Sequence, residues 1–444
     1  MEQFLRQLQT IPEAAELIRR VEEGGCPAAV SGLQPVQRAC VGAAVAAACG
    51  RPAVFLCGDE REVQVFSADL ETLTGRRPVT LLGREWQFRP GAVGSRDWER
   101  SRLAALYALA QGDAPVVVAT ADGLMARTLP PETLRSLAIT LEVGGQAELG
   151  ALAEQLLSAG YTRCEQVEGV GQFALRGGIL DVFSPLMDQP VPCEFFDDEI
   201  DSMGAFDPGT QRRTRNVSSA RILPAAEVLP HCAPGGLPGL ADQLTALAEK
   251  LAKKQKTEAI VQTLREDAER LRSGAAPGAA DRYLAAIYPT VTAGVHYLPP
   301  DAVVFLSESG RVDERVKNTV LQQKQDVEAL LSAGVLAGEY AHLTLTAEEL
   351  YAALEDFPVI LEDSLPTSRH PLRPRGLLTM NAKQLSSYGG SLETAVTDLE
   401  HYRSSGSAVL VLCGGETRAK NLHRLLEEKG IPATLDLSGA AMPA

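Results

Sequence analysis

Apolar and polar residues along the first 140 residues follow a pattern that switches between helices and buried strands. Apolar residues recur at helical spacing from Phe4 to Val21, and an alanine-rich helix is predicted for residues 36–49. Further helices are predicted at residues 60–74 and 100–111. Continuous apolar runs, typical of buried strands, occur at residues 27–30, 53–57, 79–82 and 115–119. Repeated strand–helix units of this kind indicate a parallel sheet that helices cover on both faces.

The pattern changes near Gly144. A helix is predicted for residues 147–160, and short strands joined by Gly, Pro and Asp turns come after it. These strands are predicted at residues 172–176, 179–183, 191–196, 200–206 and 217–223. Closely spaced strands with tight turns are typical of an antiparallel meander. We therefore predict a small α+β module inserted into, or appended to, the α/β unit.

The remainder of the chain returns to helices and strands. Residues 237–273 are predicted to form one long amphipathic helix or two, and a strand at residues 303–306 precedes another helix. Two prolines and three arginines make residues 367–375 typical of a linker. Strands are then predicted at residues 408–413 and 431–437, with a helix between them. Because the chain stops shortly after the last of these strands, we expect a truncated form of a longer protein.

Composition and charge restrict the classes of function. A chain of 444 residues with 45% apolar residues suggests about three globular domains. The net charge of −15 argues against a nucleic-acid binder that uses its whole surface. The sequence contains neither a signal peptide nor an apolar stretch of spanning length. Eight cysteines without a Cys-x-x-Cys pair, and six scattered histidines, argue against zinc. We expect a cytoplasmic, multidomain protein that does not enter a membrane.

The first strand–helix turn has no nucleotide-binding motif. Such turns bind phosphates through a glycine-rich loop followed by a lysine. Here the turn runs from Ser31 to Arg38 with one glycine, and Pro35 removes a backbone N–H donor. No Gly-Lys-Ser or Gly-Lys-Thr occurs in the chain. The sequence therefore predicts no catalytic residue, no cofactor-binding residue and no metal ligand.

Arg176 and Phe196 are the residues that the pattern singles out for recognition. Arg176 lies on the polar phase of a predicted strand beside two glycines, where its guanidinium can project from a flat surface and bind a carboxylate. Alternation along a strand directs one ring of the pair Phe195 and Phe196 to the core and the other outward. An exposed aromatic ring near an arginine is the composition of an interface hot spot. Core packing for the ring and a solvated guanidinium remain the alternatives.

Three blocks of sequence carry a resemblance to a known family. They are residues 171–183 (GQFALRGGILDVF), 194–202 (EFFDDEIDS) and 206–212 (FDPGTQR). Together they closely resemble the bacterial transcription-repair coupling factors (Mfd), in the N-terminal half of those proteins. The same module occurs in the excision-repair helicase UvrB, where it binds the damage-recognition ATPase UvrA.

The resemblance implies an α/β fold class. A degenerate helicase-like (RecA-like) parallel-sheet domain is split by an α+β antiparallel UvrA-binding module, and a small α/β domain follows it. The implied ranges are 1–137 and 225–365 for the two parts of the degenerate domain, 138–224 for the UvrA-binding module and 366–444 for the small, apparently truncated domain. A working motor would carry Asp-Glu after the strand at residues 303–306, where this chain has Ser307 and Glu308.

The resemblance also implies partners and site residues. The UvrA contact of the family maps onto Arg176 and Phe196, whereas Pro192 replaces a second arginine that is common in the family. In the family, ATP and magnesium belong to a motor beyond residue 444. RNA polymerase, double-stranded DNA and a C-terminal regulatory domain that covers the UvrA-binding face are the further partners.

The implied function is an adaptor that recruits UvrA to lesions where RNA polymerase has stalled and that restrains the translocase motor. Because the covering domain lies beyond residue 444, we expect this chain to bind UvrA constitutively. Two alternatives stay open: a UvrB-type nucleotide-dependent repair enzyme with an unconventional ATP site, and a purely structural scaffold.

Overall fold

The computed structural model describes residues 1–89, 97–207, 212–254, 257–382, 392–413 and 415–437. Strands within these ranges are β1 (Ala28–Ser31), β2 (Ala53–Cys57), β3 (Val79–Leu81), β4 (Val116–Thr120), β5 (Ile139–Glu142), β6 (Thr162–Arg163), β7 (Gln172–Arg176), β8 (Ile179–Val182), β9 (Val191–Phe196), β10 (Glu199–Asp207), β11 (Arg212–Asn216), β12 (Ser219–Ile222), β13 (Val303–Ser307), β14 (Val359–Asp363) and β15 (Gly376–Thr379).

The α-helices of the same ranges are α1 (Glu2–Gln9), α2 (Pro12–Glu22), α3 (Pro35–Cys49), α4 (Glu60–Thr74), α5 (Asp97–Gln111), α6 (Ala121–Met125), α7 (Pro131–Leu137), α8 (Leu149–Ser158), α9 (Gly236–Leu251), α10 (Glu258–Arg272), α11 (Leu284–Ile287), α12 (Ser309–Ser332), α13 (Ala347–Leu354), α14 (Leu392–Ser404) and α15 (Glu416–Glu428). Short 3₁₀ turns lie at Pro230–Cys232, Ala280–Tyr283, Gly294–Tyr297 and Gly338–Tyr340.

A parallel sheet forms the centre of the α/β unit. Its seven described strands pair in the order β15-β1-β14-β13-β2-β4-β3, and every pairing is parallel. All residues of β1, β2, β4, β13 and β14 are buried. Within β2, Val54 and Leu56 pack on one side and Phe55 and Cys57 on the other. The predicted parallel sheet with two covered faces is confirmed.

Helices of different parts of the chain cover the two faces. Apolar residues of α1, α2, α3 and α4 form one core with the sheet. Apolar residues of α5, α6, α9, α10, α12 and α13 form the core on the other face. The long helix or pair of helices predicted at residues 237–273 is a pair, α9 and α10, packed against each other. No described helix is both long and apolar enough to cross a membrane.

The inserted module is a separate sheet with one helix on its inner face. Strands pair in the order β11-β10-β9-β8-β7-β6, antiparallel except for the parallel pair β6 and β7. Leu152 and Leu156 of α8 are buried against Phe173, Leu180 and their neighbours. The chain enters and leaves the module on paired strands, because β5 and β12 form an antiparallel ribbon. The predicted antiparallel α+β module is confirmed.

Two details of the predicted strands are wrong. The strand after β10 in the meander is β11, whereas Ser219–Ile222 of the predicted strand 217–223 pairs with β5 outside that sheet. The alternation of buried Ala220 and Ile222 with exposed neighbours indicates a half-buried strand. This alternation does not indicate which strand β12 pairs with, and its partner β5 lies some eighty residues earlier in the chain.

The last described part of the chain also differs from the prediction. Residues 408–413 and 431–437 are not strands, and β15 pairs with β1 in the main sheet. Leu410, Val411 and Leu412 are correspondingly exposed. A strand requires a neighbour for its N–H and C=O groups, and residues 408–413 have none within the described part of the chain. The apolar run at residues 408–413 was therefore not sufficient to predict a strand.

Candidate functional sites

The carboxyl ends of the parallel strands form the edge where open α/β sheets bind ligands. Arg38 of α3 occupies this edge, and its side chain is 2% exposed. Its Nε donates a hydrogen bond to Ser307 Oγ at 2.9 Å, and its Nη1 donates to Leu33 O at 3.1 Å. Its guanidinium forms ion pairs with Glu308 and with Glu62, the latter at 3.3 Å. A buried protein cation thus lies at the edge of the sheet where ligands bind in folds of this class.

Two further ion pairs close the same edge. Arg315 of α12 binds Asp122 through two hydrogen bonds of 2.8 and 3.1 Å. Arg311, one turn earlier in that helix, pairs with Asp59 at 2.9 Å. Asp59 also caps α4, because its side chain accepts a hydrogen bond from Glu62 N at 2.8 Å. The helix after β13 is therefore tied by ion pairs to the segments that follow β2 and β4.

The first strand–helix turn is tightly packed. Gly32 has φ +92°, and a Cβ at this position would lie 2.1 Å from Met380 O. Only glycine fits there. Pro35 begins α3, and Gln37 receives a hydrogen bond from Gln34 N at 2.9 Å. The backbone of this turn therefore packs closely against the segment that contains Met380.

Glu362 is a fully buried carboxyl group at the end of β14. Neither of its side-chain oxygens has a hydrogen-bond partner among the described residues. Burial raises the pKa of Glu362 well above its usual value, although nearby Arg38 opposes the rise. Burial therefore disfavours the ionised form of this side chain in the folded chain.

Residues on one face of the module sheet align across four strands. Arg176 of β7 lies opposite Ile179 of β8, Ile179 opposite Glu194 of β9, and Glu194 opposite Ser202 of β10. Residues opposite each other in a sheet project from the same face. Ser202 Oγ donates a hydrogen bond to Glu194 at 2.9 Å. These residues lie on the side away from α8, and we call them, together with Phe196 and Glu199, the outer face.

Phe196 is the most exposed large apolar side chain described on the outer face. It lies two residues after Glu194 and opposite Glu199, and it is 80% exposed. Phe195, with the opposite orientation, packs against the core beneath the sheet. Asp197 follows in the left-handed region with φ 57°, which forms the tight turn into β10. The expectation that alternation sends one ring inward and the other outward is confirmed.

Arg176 is held in place by a buried carboxylate. Its side chain is 56% exposed and forms an ion pair with Asp181, whose side chain is 4% exposed. Pro192 lies opposite Asp181 on the neighbouring strand. A second arginine at that position would therefore lie beside the same carboxylate. Arg176 and Phe196 share one face, as predicted, and their role in binding stays a prediction.

Sequence patterns missed several residues of these two sites. Ile179, 38% exposed, and Glu194 complete the outer face, but nothing in their local sequence distinguishes them before the strand register is known. Arg38 offered a usable signal. It is a charged residue in an otherwise alanine-rich helix, and the main reason for such a residue to be buried is an ion pair.

The junction between the module and the α/β unit is a buried polar network. Glu227, just after the module, is fully buried and pairs with Arg102 at 2.9 Å and with Arg84 at 3.8 Å. Thr128 Oγ1 donates a hydrogen bond to the same carboxylate at 2.6 Å. Burial opposes ionisation of Glu227, but the two guanidinium groups hold its pKa below the usual value. Residues before and after the module are thus tied together.

Comparisons with known proteins agree with this architecture. Residues 139–227 match the family model of the UvrB interaction domain. The chain is 26% identical to the transcription-repair-coupling factor of Bacillus subtilis (strain 168), over 96% of this chain and 36% of that protein. It is 29% identical to the transcription-repair-coupling factor of Myxococcus xanthus, over 90% of this chain and 34% of the relative. For the Staphylococcus aureus (strain USA300) protein of the same name the identity is 25%, over 76% of this chain.

The matched region of each relative is limited in length. The chain spans about a third of the length of these curated relatives. The matched module coincides with the sheet that carries the outer face, together with the ribbon of β5 and β12 and the junction residue Glu227. The resemblance stated from the sequence is therefore confirmed: the chain is a homologue of transcription-repair-coupling factors over most of its length and contains a UvrB interaction domain.

Proposed function

We propose that this chain is the UvrA-recruiting adaptor region of a transcription-repair coupling factor. In this role the outer face binds UvrA and brings excision repair to lesions where RNA polymerase has stalled. The single observation that carries the proposal is Phe196, a large ring 80% exposed on the same face as the half-exposed Arg176 in the UvrB interaction domain. Aromatic and arginine side chains contribute most of the binding energy at protein interfaces.

The fold of the module supports binding by a rigid surface. Phe173 and Leu180 are buried under the outer face with α8, and both neighbours of β8 pair with it along its length. A preformed face loses little conformational entropy when a partner binds. The outer face therefore suits a partner that docks as a folded domain.

We assign the α/β unit the role of a scaffold that restrains the motor of the full-length protein. RNA polymerase, double-stranded DNA, the regulatory domain that covers the outer face, and an ATP-dependent translocase with its magnesium ion would be partners or parts of that full-length protein. This assignment places the chain in the cytoplasm. It rests on the resemblance and on the ion pairs of Arg38, which occupy the crevice of the sheet.

The alternative of a UvrB-type ATP-dependent enzyme makes a different prediction. Such an enzyme binds ATP at the carboxyl ends of the strands, where Arg38, Arg311 and Arg315 hold carboxylates in this chain. We expect no saturable binding of a fluorescent ATP analogue with magnesium at concentrations up to 1 mM, on the order of a weak nucleotide site. UvrB is the positive control. Saturable binding that unlabelled ATP displaces would favour the enzyme.

Titration of the chain with purified UvrA tests the adaptor proposal. We expect the parent chain to bind without an activating factor and Arg176→Ala to weaken binding, because its half-exposed side chain lies on the same face as Phe196. Arg6→Ala is the control, since Arg6 is likewise an exposed arginine paired with one carboxylate but lies in α1, outside the module. Circular dichroism and a thermal melt establish that both variants are folded. Failure of the folded parent chain to bind UvrA would refute the adaptor role.

A further inference from the structure

The connection between β14 and β15 crosses the parallel sheet without a helix. β14 ends at the carboxyl edge of the sheet, whereas β15 lies on the far side of β1, runs parallel to it and begins at the opposite edge. Residues 364–375 therefore return over β1, and they contain neither helix nor strand. Parallel crossovers usually use a helix, as α3 does between β1 and β2. We call residues 364–375 the strap.

His370 fixes the strap at the carboxyl edge. Its side chain is 7% exposed, and its Nδ1 lies 3.3 Å from Ser309 Oγ and 3.6 Å from Asp363 Oδ2. The buried Ser309 donates its hydroxyl proton to Asp363, at 2.9 Å from Oδ1. The lone pairs of Ser309 Oγ therefore accept a hydrogen bond from the N–H at Nδ1 of His370. Because residues 365–369 before it are exposed, His370 is the point at which the strap turns inward.

The strap has further contacts on its way to β15. Leu372 is 4% exposed and shares a core with Ala29 of β1. At the opposite edge of the sheet, Arg375 N donates a hydrogen bond to Pro27 O at 2.7 Å. The composition of this segment is typical of a linker, but its middle and its end are both held against the sheet.

β15 has few contacts of its own that would keep it in the sheet. It has four residues, and among the described strands it pairs with β1 alone. Leu377 is 72% exposed, and Thr379 on the same side of the strand is also exposed. A short edge strand that buries little apolar surface opens easily. The position of β15 therefore depends on the strap that leads into it.

We propose that His370 is a latch that holds the strap against the sheet and thereby keeps β15 at the sheet edge. The latch is connected to the crevice that Arg38 occupies. Glu308 Oε1 accepts a hydrogen bond from Ser364 N at 3.1 Å and also forms the ion pair with Arg38. A change in the crevice that displaces Glu308 or Asp363 loosens the strap, so the latch couples the state of the crevice to the chain that follows β15.

Hydrogen–deuterium exchange of the full chain, read by mass spectrometry, tests the latch. Ser309→Ala removes the hydroxyl group between Asp363 and His370, and we expect the amides of residues 375–380 to exchange about tenfold faster. Ser184→Ala is the matched control. It makes the same change at a fully buried serine of the module, whose Oγ accepts a hydrogen bond from Leu223 N at 2.9 Å. The control should leave exchange at residues 375–380 unchanged, and β2 and β4 should stay protected in both variants.

A second variant changes the latch from the side of the strap. His370→Leu keeps a buried side chain and removes the polar contact with Ser309, and we expect the same faster exchange at residues 375–380. A thermal melt establishes that each variant is folded. Exchange like that of the parent in both latch variants would overturn the inference. Equal loss of protection in β2, β4 and β15 would also overturn it, because the contact would then stabilise the whole fold and not the strap.

Discussion

Arg38 and Glu362 show how single side chains set the properties of the crevice at the end of the parallel sheet. Arg38 supplies positive charge from within the protein, through its ion pairs with Glu62 and Glu308. Glu362 lies buried near it, without a hydrogen-bond partner among the described residues. Unpaired buried carboxyls are costly to ionise. The stability of the folded chain should therefore depend on pH through Glu362.

Replacement of Glu362 tests this dependence. The pKa of Glu362 in the fold is raised well above 4.5, so that above this pH the folded chain holds a proton that the unfolded chain has released. The stability of the parent chain therefore falls as pH rises from 4.5 toward the raised pKa. Glu362→Gln does not titrate and should become more stable than the parent with rising pH, by up to about 1.4 kcal/mol per pH unit.

Urea unfolding at several pH values between 5 and 8, on the order of one measurement per pH unit, checks this prediction. Glu154→Gln, an exposed change on α8, is the control and should show no such trend. A difference between Glu362→Gln and the parent that does not vary with pH would show that Glu362 is ionised in the fold.

At the scale of elements, the close approach of α3 to the sheet depends on one glycine. A Cβ at Gly42 would lie 2.5 Å from the ring of Phe55 and 3.3 Å from that of Phe305. These two rings stack with centroids 4.9 Å apart. Gly310 near the start of α12 is also helical, but a Cβ there would meet nothing within 4 Å. The two positions therefore respond differently to the same change.

The pair of substitutions Gly42→Ala and Gly310→Ala tests this packing. Gly42→Ala should lower the free energy of unfolding by about 1–3 kcal/mol, because the new methyl group forces the stacked rings apart. Gly310→Ala should raise it by about 0.5–1 kcal/mol, since alanine favours the helix and no contact opposes it. Denaturant unfolding measures both. A stabilising effect of Gly42→Ala would mean that the helix can move away from the sheet at little cost.

The sequence pattern predicts which segments are buried, but it does not predict which strands pair with each other. The apolar runs at β2, β4 and β13 are buried strands because helices cover both faces of the sheet. The run at residues 408–413 has similar composition but no neighbouring strand among the residues that the structure describes. Arg176 and Phe196 could be chosen from alternation and resemblance. Ile179 and Glu194 could not, because only the register of β8 with β9 brings them to the same face.

At the scale of the whole molecule, contacts from both parts of the chain hold the module against the α/β unit. Arg100 of α5 donates to Pro185 O at 2.9 Å and to Met187 O at 2.5 Å, both in a loop of the module. The buried network around Glu227 lies at the exit of the module. These contacts fix the orientation in which the outer face is presented.

Glu227→Gln tests the contribution of the network. The change leaves Arg102 and Arg84 buried with less compensating charge, and we expect a loss of about 3–5 kcal/mol in the free energy of unfolding. Glu2→Gln removes the partner of the exposed Arg6 and should cost less than about 1 kcal/mol. Urea unfolding of both variants beside the parent measures the two losses. Equal losses would show that the junction contributes no more than a surface ion pair.

The central claim is that the outer face of the module binds UvrA through Phe196. Isothermal titration of UvrA with the parent chain and with Phe196→Ala tests it most directly, because the ring is already 80% exposed and its removal leaves the core intact. Leu157→Ala on α8, also exposed but on the other side of the module, is the control. We predict that Phe196→Ala weakens binding by about 2 kcal/mol or more, while Leu157→Ala binds like the parent. Equal affinity of the parent and a folded Phe196→Ala variant would contradict the claim.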